Sequence, residues 1–254
     1  MSRGPAGIRA IEEAADRAWP PRRAVHGDDW VARYADGWYR RLNSATVWGS
    51  ADFDDTFATI EAWYAARRQP ARFKLTPASP AGLETALERR GYQREESSVT
   101  VMTRPLRADL PPGEAEIAPA ATGAWVDAFA AISGYDRHER AMLTATLKRI
   151  TPRTGYAAVL AGGHPVALGL AVAEGEHAGV FDVATHPAHR RQGLATRIVA
   201  ALLRWSAGCG ATTAYLQVFE GNLAAHLLYL QAGFSPRYDY WYRLAADRVP
   251  GHHH

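Results

Sequence analysis

The sequence predicts an α/β fold, and three observations carry that prediction. A strand from Val180 to Thr185 runs into a turn at His186-Pro187 and then into a helix on which Leu194, Ile198, Leu202 and Trp205 repeat at helical spacing. A second strand, Ala214 to Val218, leads through Phe219-Glu220-Gly221 into a helix from Asn222 to Ala232 that Gly233 closes. Strand and helix patterns also alternate through the first hundred residues.

In order, Ile8 to Trp19 reads as a helix stopped by Pro20-Pro21, and residues 30 to 39 are mixed. Ala45 to Trp48 is a short β-prone run. Phe53 to Arg67 is an amphipathic helix with Phe57, Ile60, Trp63 and Tyr64 on one side. Ala71 to Leu75 reads as a strand, Leu83 to Arg90 as a helix ended by Gly91-Tyr92, and Ser97 to Met102 alternates like a strand. Pro105 to Gly113, with Pro111 and Pro112, reads as a linker. A second series follows. It has a strand at Glu114 to Ala118 and helices at Ala124 to Ile132 and Arg137 to Ile150. Strands Gly155 to Leu160 and Val166 to Ala173 are joined by a hairpin at Gly162-Gly163-His164-Pro165, and a strand at His177 to Thr185 comes next. The chain then passes through the two strand–helix pairs to an aromatic strand, Tyr238 to Leu244. The expected division is a first domain over residues 1–104, a linker over 105–113 and a second domain over 114–250. The histidines at 252–254 resemble a purification tag.

Composition narrows the function classes. The chain has 254 residues and a formal net charge of +3, which suits an anionic cofactor and is too small and too dispersed for nucleic acid. The single cysteine, Cys209, excludes an internal disulfide or a cysteine-based zinc site, fits a reducing cytoplasm and is expected to be buried. No apolar run approaches the roughly twenty residues that span a bilayer, and MSRGPAGIRA lacks a signal-peptide core. The expected location is therefore cytoplasmic. No histidine or acid pair has metal-ligand spacing, so no metal is expected. The eight tryptophans are expected to line pockets or the contact between halves.

The helix that opens at Gly193 is suited to an anion. First-turn N–H groups have no partner inside a helix and add to its dipole, which favours phosphate. Gly193 and Ala195 keep side chains away from that backbone, and His189, Arg190 and Arg191 stand beside it. Arginines in isolation would read as solvated surface charges. Thr196 adds a hydroxyl in the first turn. On the next helix Asn222, Ala225 and Tyr229 stand at i, i+3 and i+7 and share a face that offers an amide, a small gap and a phenol. Asn222 could equally cap its helix. A lone helical tyrosine is more often a packing residue.

Arg190-x-x-Gly193-x-Ala195 resembles the R/Q-x-x-G-x-G/A motif of the GCN5-related N-acetyltransferases. Asn222-x-x-Ala225-x-x-x-Tyr229-x-x-x-Gly233-Phe234 is similar to their second motif. The six-residue motif alone arises by chance in many proteins. The two together, about thirty residues apart on strand–helix–strand–helix, are specific. The resemblance covers Glu114 to Leu244 well and the first hundred residues faintly, where LETALERRGY echoes LLYLQAGF. That echo suggests tandem copies of the fold, the first degenerate. Gly49-Ser50-Ala51-Asp52 stands where a phosphate motif would be, and Leu87 lies four residues before Gly91 as Tyr229 does before Gly233. Leucine cannot donate a proton, so the first copy is expected to be inactive, either structural or a wall of the acceptor site.

The resemblance implies a mixed sheet flanked by helices and an enzyme that moves the acetyl group of acetyl-CoA to a primary amine by direct attack in a ternary complex. It implies pantetheine along the backbone of Val183, Ala184 and Thr185, held by Asn222 and lined by Ala225 and Tyr229. It implies phosphates over Arg191, Gln192, Gly193, Leu194, Ala195 and Thr196, with Arg190 beside them. A backbone N–H near the end of the Val180–Thr185 strand would stabilise the oxyanion. Tyr229 is the expected general acid, since a phenol near pKa ~10 lies above a thiol near ~8.5 and stays protonated at neutral pH. Asp182 beside the thioester is the expected general base, with Glu174 and Glu176 as alternatives and His138 and His226 behind them. The acceptor is expected to be a small-molecule amine or a protein amino group. The region Tyr135 to Glu139 with Tyr238, Tyr240, Trp241 and Tyr242 would hold that amine or else pack the halves together. A module that binds acyl-CoA without turning it over is the alternative function. A nucleotide-binding domain is disfavoured, since no P-loop lysine is present. A monomer or homodimer is expected.

Overall fold

The computed structural model describes residues 4–49, 52–107, 110 and 114–245. Residues 50, 51, 108, 109 and 111–113, and with them most of the expected linker, lie outside the described residues, as do the histidines at 252–254.

The first half begins with α1 (Pro5–Ala18), in which proline at the helix start leaves no N–H to satisfy, and which ends just before Pro20-Pro21. Then come β1 (Arg23–His26), β2 (Trp30–Tyr34), β3 (Ala45–Val47), α2 (Phe53–Ala65), β4 (Arg72–Leu75), α3 (Leu83–Arg89), β5 (Tyr92–Arg94) and β6 (Val99–Pro105). The second half has β7 (Glu116–Ala118), α4 (Gly123–Ser133), α5 (Arg137–Leu147), β8 (Arg153–Ala161), β9 (His164–Glu174) and β10 (His177–Thr185). It continues with α6 (Leu194–Gly208), β11 (Thr213–Phe219), α7 (Leu223–Gln231) and β12 (Ser235–Ala245). The expected α/β class and mixed sheet are what the structure contains. Three strands are unexpected, β1, β5 and β2, the last within the stretch read as mixed. All are short, and none carries the alternation that marks a half-buried strand. Pro105, expected to begin a linker, is the last residue of β6, and the next residue donates its N–H to the Thr212 carbonyl. Cys209, expected to be buried, is half-buried.

One sheet path runs β1-β2-β3-β4-β12-β6-β11-β10-β9-β8-β7, with β5 also on β12. The two halves of the chain share strands. Although β6 belongs to the first hundred or so residues, it sits between β11 and β12. The last strand pairs with β6 through Tyr240 and then with β4 and β5 from Trp241 onward. Around β10, one apolar cluster joins Trp19, which follows α1, with Trp125 and Phe129 of α4 and with Phe181. The other joins Val180 with Leu194, Ile198 and Leu202 of α6 and takes in Tyr229 of α7. Tyr238, Tyr240 and Tyr242 are buried in the first cluster, so in this aromatic strand the tyrosines pack between halves. Buried charges there are matched: Lys74 meets Glu12, which also accepts from the Tyr238 hydroxyl at 2.7 Å, and Arg33 meets Asp16.

Candidate active site

The site begins where two parallel strands part. β10 pairs with β11 only over His177–Gly179 against Thr213–Tyr215. Beyond that point β11 stays on β6 as far as Phe219, while β10 stays on β9 as far as Thr185. The edge of β10 from Val180 to Thr185 that faces β11 is therefore open. A bulge between Phe181 and Ala184 bends the strand away, and within it Asp182 takes φ 52, a conformation that costs a non-glycine residue energy. Gly179 makes the parting point possible. A Cβ there would lie 2.4 Å from the Phe181 ring and 2.7 Å from the Tyr215 hydroxyl.

The bend before α6 opens onto the same end of β10. Arg191 and Gly193 both have positive φ, 62 and 76. A Cβ on Gly193 would meet nothing within 4 Å, so its backbone is approachable. The N–H groups of Gln192, Gly193, Leu194, Ala195 and Thr196 have no partner among the described residues, and the first turn of α6 holds no acid. Such a run of aligned, unused donors has the chemistry to receive an anion. Arg190 folds back so that its Nε donates to the Thr185 carbonyl at 3.3 Å, leaving the rest of its guanidinium exposed beside the bend. Arg191 is also exposed.

Opposite the bend, Asn222 caps α7 by accepting from the Ala225 N–H at 3.1 Å. The cap uses only its oxygen, so its amide NH2 remains available to a ligand. Ala225 and Tyr229 lie in the cluster that contains Leu194 and Val183, on the α6 side of the sheet. The Tyr229 hydroxyl is close enough to Asp182 to feel its charge. Burial, with that charge as the lesser cause, pushes the phenol up to about 12. Asp182 accepts no hydrogen bond and meets no cation within 4.0 Å among the described residues, and its Oδ2 is buried without a partner. Burial pushes its carboxyl up to about 7, partly offset by the positive charge of Arg41. The alternative bases lie elsewhere. Glu174 pairs with Arg17 at 2.6 Å, and the Glu176 carbonyl is bonded to Thr212 and Thr213 at the far end of β10. His138 is exposed and lies near Asp36, whereas His226 is half-buried with an unpartnered Nε2.

The family described as "Probable histone acetyltransferase Rv0428c C-terminal" matches residues 5–243. The chain belongs to this family, and with it to the GCN5-related N-acetyltransferases. An uncharacterized N-acetyltransferase of Bacillus subtilis, YobR, is 28% identical over 246 residues, covering 93% of this chain and 98% of its own. Among solved structures, a GCN5-related N-acetyltransferase from Kribbella flavida superposes with a TM-score of 0.69 at 22% identity, covering 96% of each chain. A tandem protein of the same fold from the clavulanic acid biosynthesis pathway superposes with a TM-score of 0.68 at 13% identity, covering 95% of this chain and 89% of its own. The expected fold, including its tandem arrangement, and the expected enzyme class, an acyltransferase, agree with these matches.

This acetyltransferase also contains site residues that no motif announced. They come from the loop between β2 and β3 in the first half. Asn43 is buried and braces that loop: its Oδ1 accepts from the N–H of Ala35 and Gly37, and its Nδ2 donates to the carbonyls of Trp38 and Tyr39. The brace holds Asp36 and Tyr39 at positive φ, 51 and 56. Tyr39 then reaches the second half, where its hydroxyl pairs with that of Tyr135 at 2.5 Å. Trp38 packs edge-on against both tyrosines. The Arg41 guanidinium lies 5.2 Å from the Phe181 ring centre and donates to Gln217 Oε1 at 3.2 Å, so it reaches across the mouth between β10 and β11. Burial pushes Tyr135 and Tyr156 up to about 12, and both feel the Asp182 charge. Only a signal that links residue 41 to residue 182 could have revealed this grouping, and a pattern read along the chain contains none.

Among the described residues no group of three or more histidine, cysteine or acidic side chains could hold a metal ion. No helix among them is long and apolar enough to cross a membrane.

Proposed function

We propose that the enzyme transfers the acetyl group of acetyl-CoA to a primary amine by direct attack in a ternary complex. The observation that carries this reading is the open edge of β10 beside an unpartnered carboxylate, Asp182, with a protonated phenol, Tyr229, close by. Acetyl-CoA supplies an activated thioester. The amides of Gln192 to Thr196, with Arg190 and Arg191, hold its diphosphate, and backbone groups of Val183, Ala184 and Thr185 pair with the pantetheine arm as an added strand would. Asn222 donates its free NH2 to the same arm, and Ala225 leaves room for it.

Asp182 takes a proton from the acceptor ammonium, so the nitrogen can attack. A β10 backbone N–H steadies the charge that develops on the carbonyl oxygen. The C–N bond forms, the C–S bond breaks, and Tyr229 gives a proton to the departing sulfur. The ammonium sheds two protons and the sulfur gains one, so one proton leaves to solvent per turnover. A carboxyl near pKa 7 is matched to taking a proton at neutral pH, and a phenol near 12 is protonated until it is needed.

Thiol release from acetyl-CoA with a panel of amines tests the reading. Tyr229→Phe is expected to lower kcat by about 10²–10⁴-fold, with far less change in acetyl-CoA affinity. Release no faster than in buffer with every amine would leave the non-catalytic acyl-CoA module. A Tyr229→Phe enzyme as fast as the wild type would remove the phenol from the chemistry.

A further inference from the structure

Two charges face the same space without meeting. Arg41 enters the mouth between β10 and β11 from the first half, and Asp182 enters it from the bulge of β10. The fully buried cations among the described residues are neutralised, Lys74 by Glu12, Arg33 by Asp16, and Arg243 by Glu84 and Glu88, whereas Arg41 is half-buried. Arg41 has no carboxylate within 4.0 Å among the described residues, and its Nε is buried without a partner. The two groups sense each other electrostatically, yet they do not form an ion pair.

Such an arrangement is costly unless something else satisfies it, because a buried charge without a partner loses its hydration for nothing. Collapse into a salt bridge would be the simple remedy. The fold prevents it: Asn43 braces the loop that carries Arg41, Gln217 holds one guanidinium nitrogen, and the Trp19, Tyr39 and Phe181 rings flank the rest. Gln217 is itself fixed by the Tyr240 hydroxyl at 3.0 Å. A cation and an anion held apart on opposite walls are complementary to a molecule that carries both charges in reverse.

We propose, resting on the acetyl-transfer reading above, that the acceptor is a small amino-carboxylate whose ammonium faces Asp182 and whose carboxylate is held by Arg41. The outer guanidinium nitrogen of Arg41 that Gln217 does not hold offers a charged donor to such a carboxylate. Trp38, Tyr39 and Tyr135 line the same opening and leave a surface for an apolar side chain. The first half thus sets acceptor specificity for a reaction performed on the second. A lysine within a protein carries no such carboxylate, so this site selects against it.

The test compares amino acids with their amides and decarboxylated amines, and with a lysine-containing peptide, by thiol release from acetyl-CoA. In parallel, calorimetry measures binding of the amino acids to the protein saturated with free CoA. The wild type is expected to prefer the carboxylate form by about 100-fold or more in kcat/KM, as sites built around a charged or polar group do. In Arg41→Ala that ratio is expected to fall below about 3, mainly through KM, with amino-acid binding to the CoA-loaded protein lost in step. Arg41→Lys is expected to restore part of both. Equal use of an amino acid and its amide by the wild type would overturn the proposal while leaving acetyl transfer intact, as would a preference for the peptide. If no amine releases thiol, the acetyl-transfer reading fails, and calorimetry still decides this one: no amino-acid binding to the CoA-loaded protein overturns it. Melting temperatures of both variants within a few degrees of the wild type confirm that they fold.

Discussion

The starts of α2 and α6 occupy matching places in the two halves, yet they treat an anion in opposite ways. At α2 the cap is Asp52, whose carboxylate accepts from the N–H of Asp54 at 2.8 Å and Asp55 at 3.2 Å, and both of those residues are acids. The donors are used and the site is negative. At α6 the cap is Gly193, the amides around it have no partner among the described residues, and arginines stand beside it. One helix completes its own N-terminus and the other leaves it for a ligand. The following helices repeat the contrast, since Leu87 of α3 is fully buried where Tyr229 of α7 is half-buried near Asp182. On the function proposed above, two copies of a fold divide the work, one keeping the cofactor cradle and the other lending a loop to the acceptor.

Making α6 resemble α2 should break this contrast most strongly. Ala195→Asp puts a carboxylate into the cradle and is expected to weaken CoA binding by about 10–100-fold in calorimetry. The melting temperature should hold or rise slightly, because an acid in the first turn favours the helix itself by about 0.3–1 kcal/mol. Loss of binding together with loss of folding would mean that the cradle is structural.

A pH series sharpens the comparison further. With its carboxyl pushed up to about 7, Asp182 must ionise to act, so kcat/KM is expected to climb as pH rises through about 7. Asp182→Asn should flatten that climb. The same shift has a stability consequence of fixed sign. Between the ordinary value of 3.8 and about 7 the folded protein keeps a proton that the unfolded chain releases, so stability declines as pH rises across that window. Asp182→Asn is therefore expected to melt above the wild type at pH 8, by about 2–4 °C for each kcal/mol relieved, with the gap narrowing as pH falls toward 4. A wild-type melting curve that does not depend on pH over this range would count against a buried carboxyl.

The smallest effect is expected in the first half. Asp52→Ala removes a cap and should cost about 1 kcal/mol of stability in denaturant unfolding, with kcat/KM unchanged. A fall in activity would show that α2 communicates with the site after all.

The bend before α6 and the helices α6 and α7 were legible in the chain because they are local. Gly193, Ala195 and the apolar repeat lie within a few turns, as do Asn222, Ala225 and Tyr229, and spacing along a helix is enough to place them on one face. The strands β1, β2 and β5 were not legible, since a short run without alternation becomes a strand only through its partners. Nor could sequence reasoning separate the two roles open to the closing aromatics, because the burial of Tyr238, Tyr240 and Tyr242 depends on α1 folding back from the other end of the chain.

By itself, then, the chain dictated its α/β class, its order of principal elements and a glycine-capped helix start with cations beside it. The tertiary structure alone decided where β10 leaves β11, that Asp182 stands unpaired in the gap, and that Arg41 and Tyr39 face it from the first half. The division has a physical cause. Helix faces and turns follow from interactions between near neighbours, whereas the opening of a sheet and the isolation of a charge arise from contacts between residues far apart in the chain, Arg41 and Gln217 being separated by 176 positions.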